Sequence, residues 1–158
     1  MQKITPCLWF DHQAEEAARY YVSIFKKSKL GKITRYGEAG PGKKGSVMLV
    51  TFRLEGQDFM ALNGGPQFQF TPAISLYVDC KTQKEVDELW RKLLRGGQES
   101  QCGWLQDKFG VSWQIIPTLL TELVQSRDQK KSARVIQAML QMRKIDVKRL
   151  EQAAAKPS

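Results

Sequence analysis

The chain repeats itself once, and that repeat constrains the fold more than any single motif in it. Leu8-Trp9-Phe10-Asp11 lies over Leu76-Tyr77-Val78-Asp79. With one inserted residue, Ala17, Tyr20, Tyr21, Ile24 and Phe25 lie over Val86, Leu89, Trp90, Leu93 and Leu94. Both sets fall at helical spacing on one face. The last hairpin of each half agrees as well: Gly56 precedes Phe59 as Gly110 precedes Trp113, which makes Met60 and Gln114 equivalents. A repeat of this length that occurs only twice is no solenoid. It predicts a duplicated strand–helix–three-strand unit, a small antiparallel-rich sheet with its helix on one face. Two such units side by side leave a concave sheet surface where a ligand would go.

The segments between support that plan. Ile4–Phe10 is rich in strand formers, and Ala14–Phe25 has the helical period. Leu30–Tyr36, Ser46–Leu54 and Asp58–Leu62 read as strands, the last two joined at Glu55-Gly56. Residues 37–45 (GEAGPGKKG) form a loop and Asn63–Pro66 a break. In the second half, Ile74–Val78 is a strand and Gln83–Arg95 an amphipathic helix stopped by Gly96-Gly97. Short strands follow near Gln98–Gln101 and Gly103–Gln106, and Val111–Ile116 closes the sheet. Three helices remain, at Leu119–Gln125, Ser132–Met142 and Val147–Ala155. The paired units thus occupy residues 1–118, with module one at about 3–65 and module two at about 72–117. Residues 119–158 form a basic helical extension.

Charge and cysteine content narrow the function. The formal net charge is +9, a balance that can serve a polyanion. Eight cations, however, lie in the tail between Arg127 and Arg149, which holds no aromatic residue for a base to stack on. We read them as a solvated helical face, and nucleic acid is not the expected partner. Cys7, Cys80 and Cys102 are far apart and include no CxxC pair, which argues against a disulfide framework or zinc cluster. No apolar run approaches the roughly 20 residues of a membrane span, and the first residues turn acidic where a signal peptide needs its apolar stretch. A cytoplasmic protein without membrane contact is expected.

Five stretches carry a family resemblance: ITPCLWFD, RYGEAGPG, ALNGGPQFQFTPAIS, CGWLQDKFGVSWQIIP and AMLQMRKID. Their order and spacing resemble the PhnB-like branch of the vicinal oxygen chelate superfamily (glyoxalase, bleomycin resistance, dioxygenase), a family labelled 3-demethylubiquinone-9 3-methyltransferase. The resemblance implies an α+β fold of two βαβββ modules forming a cupped mixed sheet, here with extra C-terminal helices, and homodimeric pairing. It also implies a divalent metal held by the first and last strands of each module. The residues present do not suit one. Ile4–Phe10 and Ala73–Val78 offer no His, Gln, Asp or Glu, and the last strands supply only Met60 and Gln114. A hard cation wants several oxygen or nitrogen donors. His12, the one histidine, falls in a turn. No metal and no cofactor is predicted. A metal-dependent lyase, isomerase or dioxygenase would need displaced ligands.

The methyltransferase label finds little support, because no strand, glycine-rich turn and helix follow one another as a nucleotide-type cradle requires. Gly37-x4-Gly42-Lys43-Lys44 has the outline of a phosphate loop but lacks the closing Ser/Thr and is followed by a strand instead of a helix. The expected partner is a small molecule. Its pocket is predicted from Trp9, Met60, Asn63, Phe68, Phe70, Cys102, Trp104, Trp113 and Gln114, with Asn63 and Gln114 fixing polar atoms. Alternation sets Trp113 and Gln114 on opposite faces of their strand. Asp107 and the Cys102 thiol are the candidates for acid–base or nucleophilic work, although no histidine stands ready to activate the thiol.

Overall fold

The computed structural model describes residues 2–156 and shows the duplication directly. Module one runs β1 (Cys7–Phe10), α1 (Ala14–Ile24), β2 (Lys29–Arg35), β3 (Val47–Leu54) and β4 (Gln57–Asn63). Module two runs β5 (Ser75–Cys80), α2 (Gln83–Leu94), β6 (Gln98–Glu99), β7 (Trp104–Gln106) and β8 (Ser112–Pro117). Each module closes its own four-stranded sheet, in the orders β1-β4-β3-β2 and β5-β8-β7-β6. The first strand pairs with the last in parallel, and the other pairings are antiparallel. Internal contacts divide the chain between Phe70 and Thr71.

In module one, α1 buries Ala14, Ala17, Ala18, Tyr21 and Ile24. That stripe meets Leu8, Phe10, Val50, Phe52, Phe59 and Ala61, the alternate residues of the sheet and all buried. In module two, Val86, Leu89, Trp90 and Leu93 of α2 belong to the core that also buries Leu105, Trp113 and Ile115. Thr82 begins α2 by accepting a hydrogen bond from the Glu85 N–H (3.2 Å), while the Glu85 carboxylate accepts from the Lys81 N–H (2.9 Å). These bonds satisfy amides that a helix start leaves open.

The register of the two modules differs from the sequence alignment. Met60 pairs with Cys7, whereas its equivalent Gln114 pairs with Tyr77. Tyr77 thus holds the place of Cys7, two residues from where the repeat put it. The side-chain period of a strand is two, so the slide moves no residue to the wrong face.

Three helices follow: α3 (Thr118–Val124), α4 (Gln129–Leu140) and α5 (Val147–Ala155). The sequence expectation started α4 at Ser132. It begins earlier because Asp128 caps it, accepting from the Lys131 N–H at 3.1 Å. Ile116, Leu120, Val135, Met142, Ile145 and Leu150 make a buried cluster that ties these helices to the end of β8. Several tail cations fasten them further. Arg134 donates to the Ala153 and Ala154 carbonyls at the end of α5 (3.0 and 3.1 Å), Lys144 pairs with Asp87 and Arg143 with Glu99. Gly103, at φ +85°, fits where a Cβ would lie 2.6 Å from Ile116 Cδ1. No helix among the described residues is long and apolar enough to cross a membrane.

Candidate functional site

Each sheet has one face under its helix and one face without it, and the uncovered faces carry the candidate groups. In module one this face holds the rung Cys7–Met60–Thr51 and, beside it, Trp9–Leu62–Leu49. The Trp9 indole N–H donates to the Gly65 carbonyl (2.9 Å), and its ring meets Phe68 edge-on at 5.0 Å. A Cβ on Gly64 would lie 2.3 Å from the Trp9 ring, so only glycine permits this seat. Cys7 lies at the edge of the face, and partial burial raises its thiol pKa.

In module two the corresponding rung is Tyr77–Gln114–Trp104. Gln114 Nε2 donates to Ser75 Oγ at 2.9 Å. Tyr77, 52% exposed, shares a hydrogen bond with Thr121 of α3, oxygen to oxygen 2.9 Å. Asp79, further along β5, accepts from Thr118 Oγ1 (2.8 Å) and pairs with Lys81 (3.1 Å). The Thr118 hydrogen bond is the chief reason its pKa is lowered, with Lys81 adding to it against desolvation. Sequence reasoning missed Ser75, Tyr77 and Thr121. A polar-tipped tyrosine alternating with Leu76 and Val78 was the available signal; nothing local marks Thr121.

Trp9, Met60, Phe68, Trp104 and Gln114 therefore stand on uncovered faces, each within its own module. The remaining predicted residues stand elsewhere or are engaged by the fold. Trp113 is 2% exposed and lies on the helix side. Phe70 meets the buried Phe10 ring edge-on at 5.2 Å, on the side opposite Phe68. Asn63 lines the cavity of module one, with its polar groups engaged by the fold: Oδ1 accepts from the Ala14 N–H (2.8 Å), Nδ2 donates to the Val47 carbonyl (3.1 Å), and its own carbonyl accepts from Tyr36 Oη (2.6 Å). It caps α1 from another strand, since Gln13 makes no side-chain cap. Asp107 is 3% exposed and staples a turn. Its carboxylate accepts from the Phe109 and Val111 N–H groups (2.9 and 3.0 Å) and from the Trp113 indole (2.8 Å). A carboxylate so engaged anchors the turn. Cys102 is half-buried at φ +59°, and its N–H donates to the Met142 carbonyl (2.8 Å), which joins it to the turn between α4 and α5.

Module one also holds a cavity of about 480 Å³ where residues 11–16 face the loops at 36–47 and 63–67. Asp11, Glu15 and Glu16 line it with His12. Among the described residues no three His, Cys, Asp or Glu side chains are grouped to hold a metal ion.

Comparison with known proteins now places the chain. The model of the family described as 3-demethylubiquinone-9 3-methyltransferase matches residues 2–116. The chain belongs to that family. It is a member of the PhnB-like branch of the vicinal oxygen chelate superfamily, with the paired-module glyoxalase/bleomycin-resistance fold. A PhnB protein of Bacillus cereus is 44% identical over 74% of this chain and 100% of its own, with a TM-score of 0.68. A Pseudomonas aeruginosa protein, 20% identical over 74% of this chain and 98% of its own, shares the fold with a TM-score of 0.63. A Staphylococcus aureus protein is 33% identical over 72% of this chain and 93% of its own, with a TM-score of 0.35. No functionally curated protein matches the chain. The family match ends just before α3, so the three C-terminal helices of this PhnB-like chain lie outside it.

The superfamily's metal can be tested against the donors present. The first and last strands place Cys7 opposite Met60 in one module and Tyr77 opposite Gln114 in the other. A thiol, a thioether, a phenol bonded to Thr121 and an amide bonded to Ser75 offer no carboxylate or imidazole. They do not fit a hard divalent cation.

Proposed function

We propose that this PhnB-like chain binds a small molecule on its uncovered sheet faces and does so without the superfamily metal. The supporting observation is the character of those faces. Aromatic and amide groups, Trp9, Trp104 and Gln114, stand half-exposed at or beside the strand positions where metal ligands would otherwise project. Such faces suit a partly apolar ligand oriented by a few neutral hydrogen-bonding groups. The protein acts either by sequestering its ligand or on a substrate that needs no metal.

Methyl transfer from S-adenosylmethionine is the weaker reading. The turns entering α1 and α2, residues 11–13 and 81–82, contain no glycine. Asn63 and Thr82 also occupy the amides at those helix starts, which a phosphate or carboxylate group would otherwise use. Elemental analysis of protein purified without chelators tests the main proposal. Substoichiometric zinc, manganese, nickel and iron are expected; one equivalent of any divalent ion would overturn it. Isothermal titration with S-adenosylmethionine is expected to give no saturable heat.

A further inference from the structure

We infer that the uncovered face of module two takes a flat, uncharged ring bearing an N–H beside a C=O, and that α3 forms the end wall of this site. The inference rests on the small-molecule reading and narrows it to a ligand class.

Register supplies the slot. Tyr77, Gln114 and Trp104 are neighbours across β5, β8 and β7. Adjacent strands lie about 4.8 Å apart and side chains stand roughly upright on a sheet. Two aromatic residues therefore rise about 10 Å apart with an amide on the floor between them. That spacing admits one ring at ordinary aromatic contact distances of about 4.5–7 Å between centroids.

Gln114 supplies the polarity. Its Nε2 spends one N–H on Ser75 Oγ at 2.9 Å. An amide has two N–H donors and a carbonyl acceptor. The remaining N–H and Oε1 complement a ligand edge that offers a C=O and an N–H side by side, the two-point pairing by which glutamine reads a base edge. The next rung, Ser75–Ser112–Gln106, is uncharged. Asp79, on the same face, is already satisfied by Thr118 and Lys81. A charged ligand would lose water here without gaining a partner.

The helix that follows the sheet supplies the wall. Ile116 lies two residues beyond Gln114, on the same face by alternation, yet it is 4% exposed because the α3–α5 core closes over it. From α3, Thr121 holds the Tyr77 hydroxyl. Thr121 is a positioning residue: it sets the tilt of one aromatic wall and needs no contact with the ligand.

The test is titration of 15N-labelled full-length protein with four ring probes: 2-pyridone, N-methyl-2-pyridone, benzoate and benzylammonium. The Trp104 indole and Gln114 side-chain amide signals are followed. Expected is saturable binding of 2-pyridone at both signals, roughly tenfold weaker binding of the N-methyl probe that lacks the donor, and no saturable shift with the charged probes. Gln114→Ala should abolish the difference between the two pyridones. Thr121→Val should weaken 2-pyridone about threefold to tenfold and Thr121→Ser restore it, with unchanged signal dispersion reporting an intact fold. Equal binding of the two pyridones, binding of a charged probe at this face, or a silent Thr121→Val overturns the inference and leaves the small-molecule reading standing. No saturable shift with any probe overturns both.

Discussion

Replacing Asp107 by alanine is expected to remove about 2–6 kcal/mol of stability. The carboxylate accepts three hydrogen bonds while only 3% exposed. Alanine leaves the Phe109 N–H, the Val111 N–H and the Trp113 indole N–H without that acceptor. Phe109 is half-buried, so water can reach its amide; Val111 and Trp113 are buried. A buried donor left unmade costs about 1–3 kcal/mol, and two of them give the stated range. That is a large part of the roughly 5–15 kcal/mol a folded domain has in reserve. Urea denaturation followed by circular dichroism reads the loss. A double-mutant cycle with Trp113→Phe isolates the indole share, because phenylalanine carries no donor to strand; a coupling of about 1–2 kcal/mol is expected. A loss below about 0.5 kcal/mol for Asp107→Ala, within the ordinary range for surface substitutions, would refute the assignment of Asp107 as an anchor. It would return the residue to the pool of acid–base candidates.

Three further outcomes are expected. Asn63→Ala should cost about 1–2 kcal/mol, the upper range for losing a helix cap, and amide hydrogen exchange should speed selectively at Ala14; unchanged exchange there would count against the cap. Gly64→Ala should push the Trp9 ring out of its seat, seen as a red-shifted tryptophan emission, since a Cβ would stand 2.3 Å from that ring. The Cys80 thiol, pushed up to about 12 by burial with Glu85 and Asp79 nearby, is neutral at pH 8 and should resist iodoacetamide in native protein. The sign for stability follows. Folding favours the neutral thiol, so its contribution is complete below the unfolded value near 8.5 and is lost as pH climbs from there toward 12. Cys80→Ala should flatten that alkaline slope; an unchanged slope would assign it elsewhere.

The paired βαβββ plan was legible because duplication writes the same apolar period twice. Ala17, Tyr21 and Ile24 announce their helix as clearly as Val86, Trp90 and Leu93 do theirs. The site was less legible, for three physical reasons. Asn63 looks like a ligand group because it ends a strand beside glycines, but what it caps is a helix start 49 residues earlier in the chain. Asp107 looks chemical because it is a titratable group set among tryptophans, yet two local backbone amides and the Trp113 indole engage it. Phe68 and Phe70 share a parity that suggests one side, and the loop they occupy sends them to opposite sides of the sheet. Alternation holds only while the backbone is a strand. Thr121 was invisible for a related reason: its partner Tyr77 is 44 residues away.

The two-residue slide between the modules bears on how such a duplicated protein diversifies. A first strand can shift along its partner only in even steps, each about 6.6 Å, because an odd step would turn its greasy side to water. Every permitted step exchanges the neighbours on the exposed rung while keeping the apolar residues on the covered side. Cysteine beside methionine in one half and tyrosine beside glutamine in the other are two settings of the same ratchet. Binding chemistry in this architecture can thus be reset by a change of register as well as by substitution.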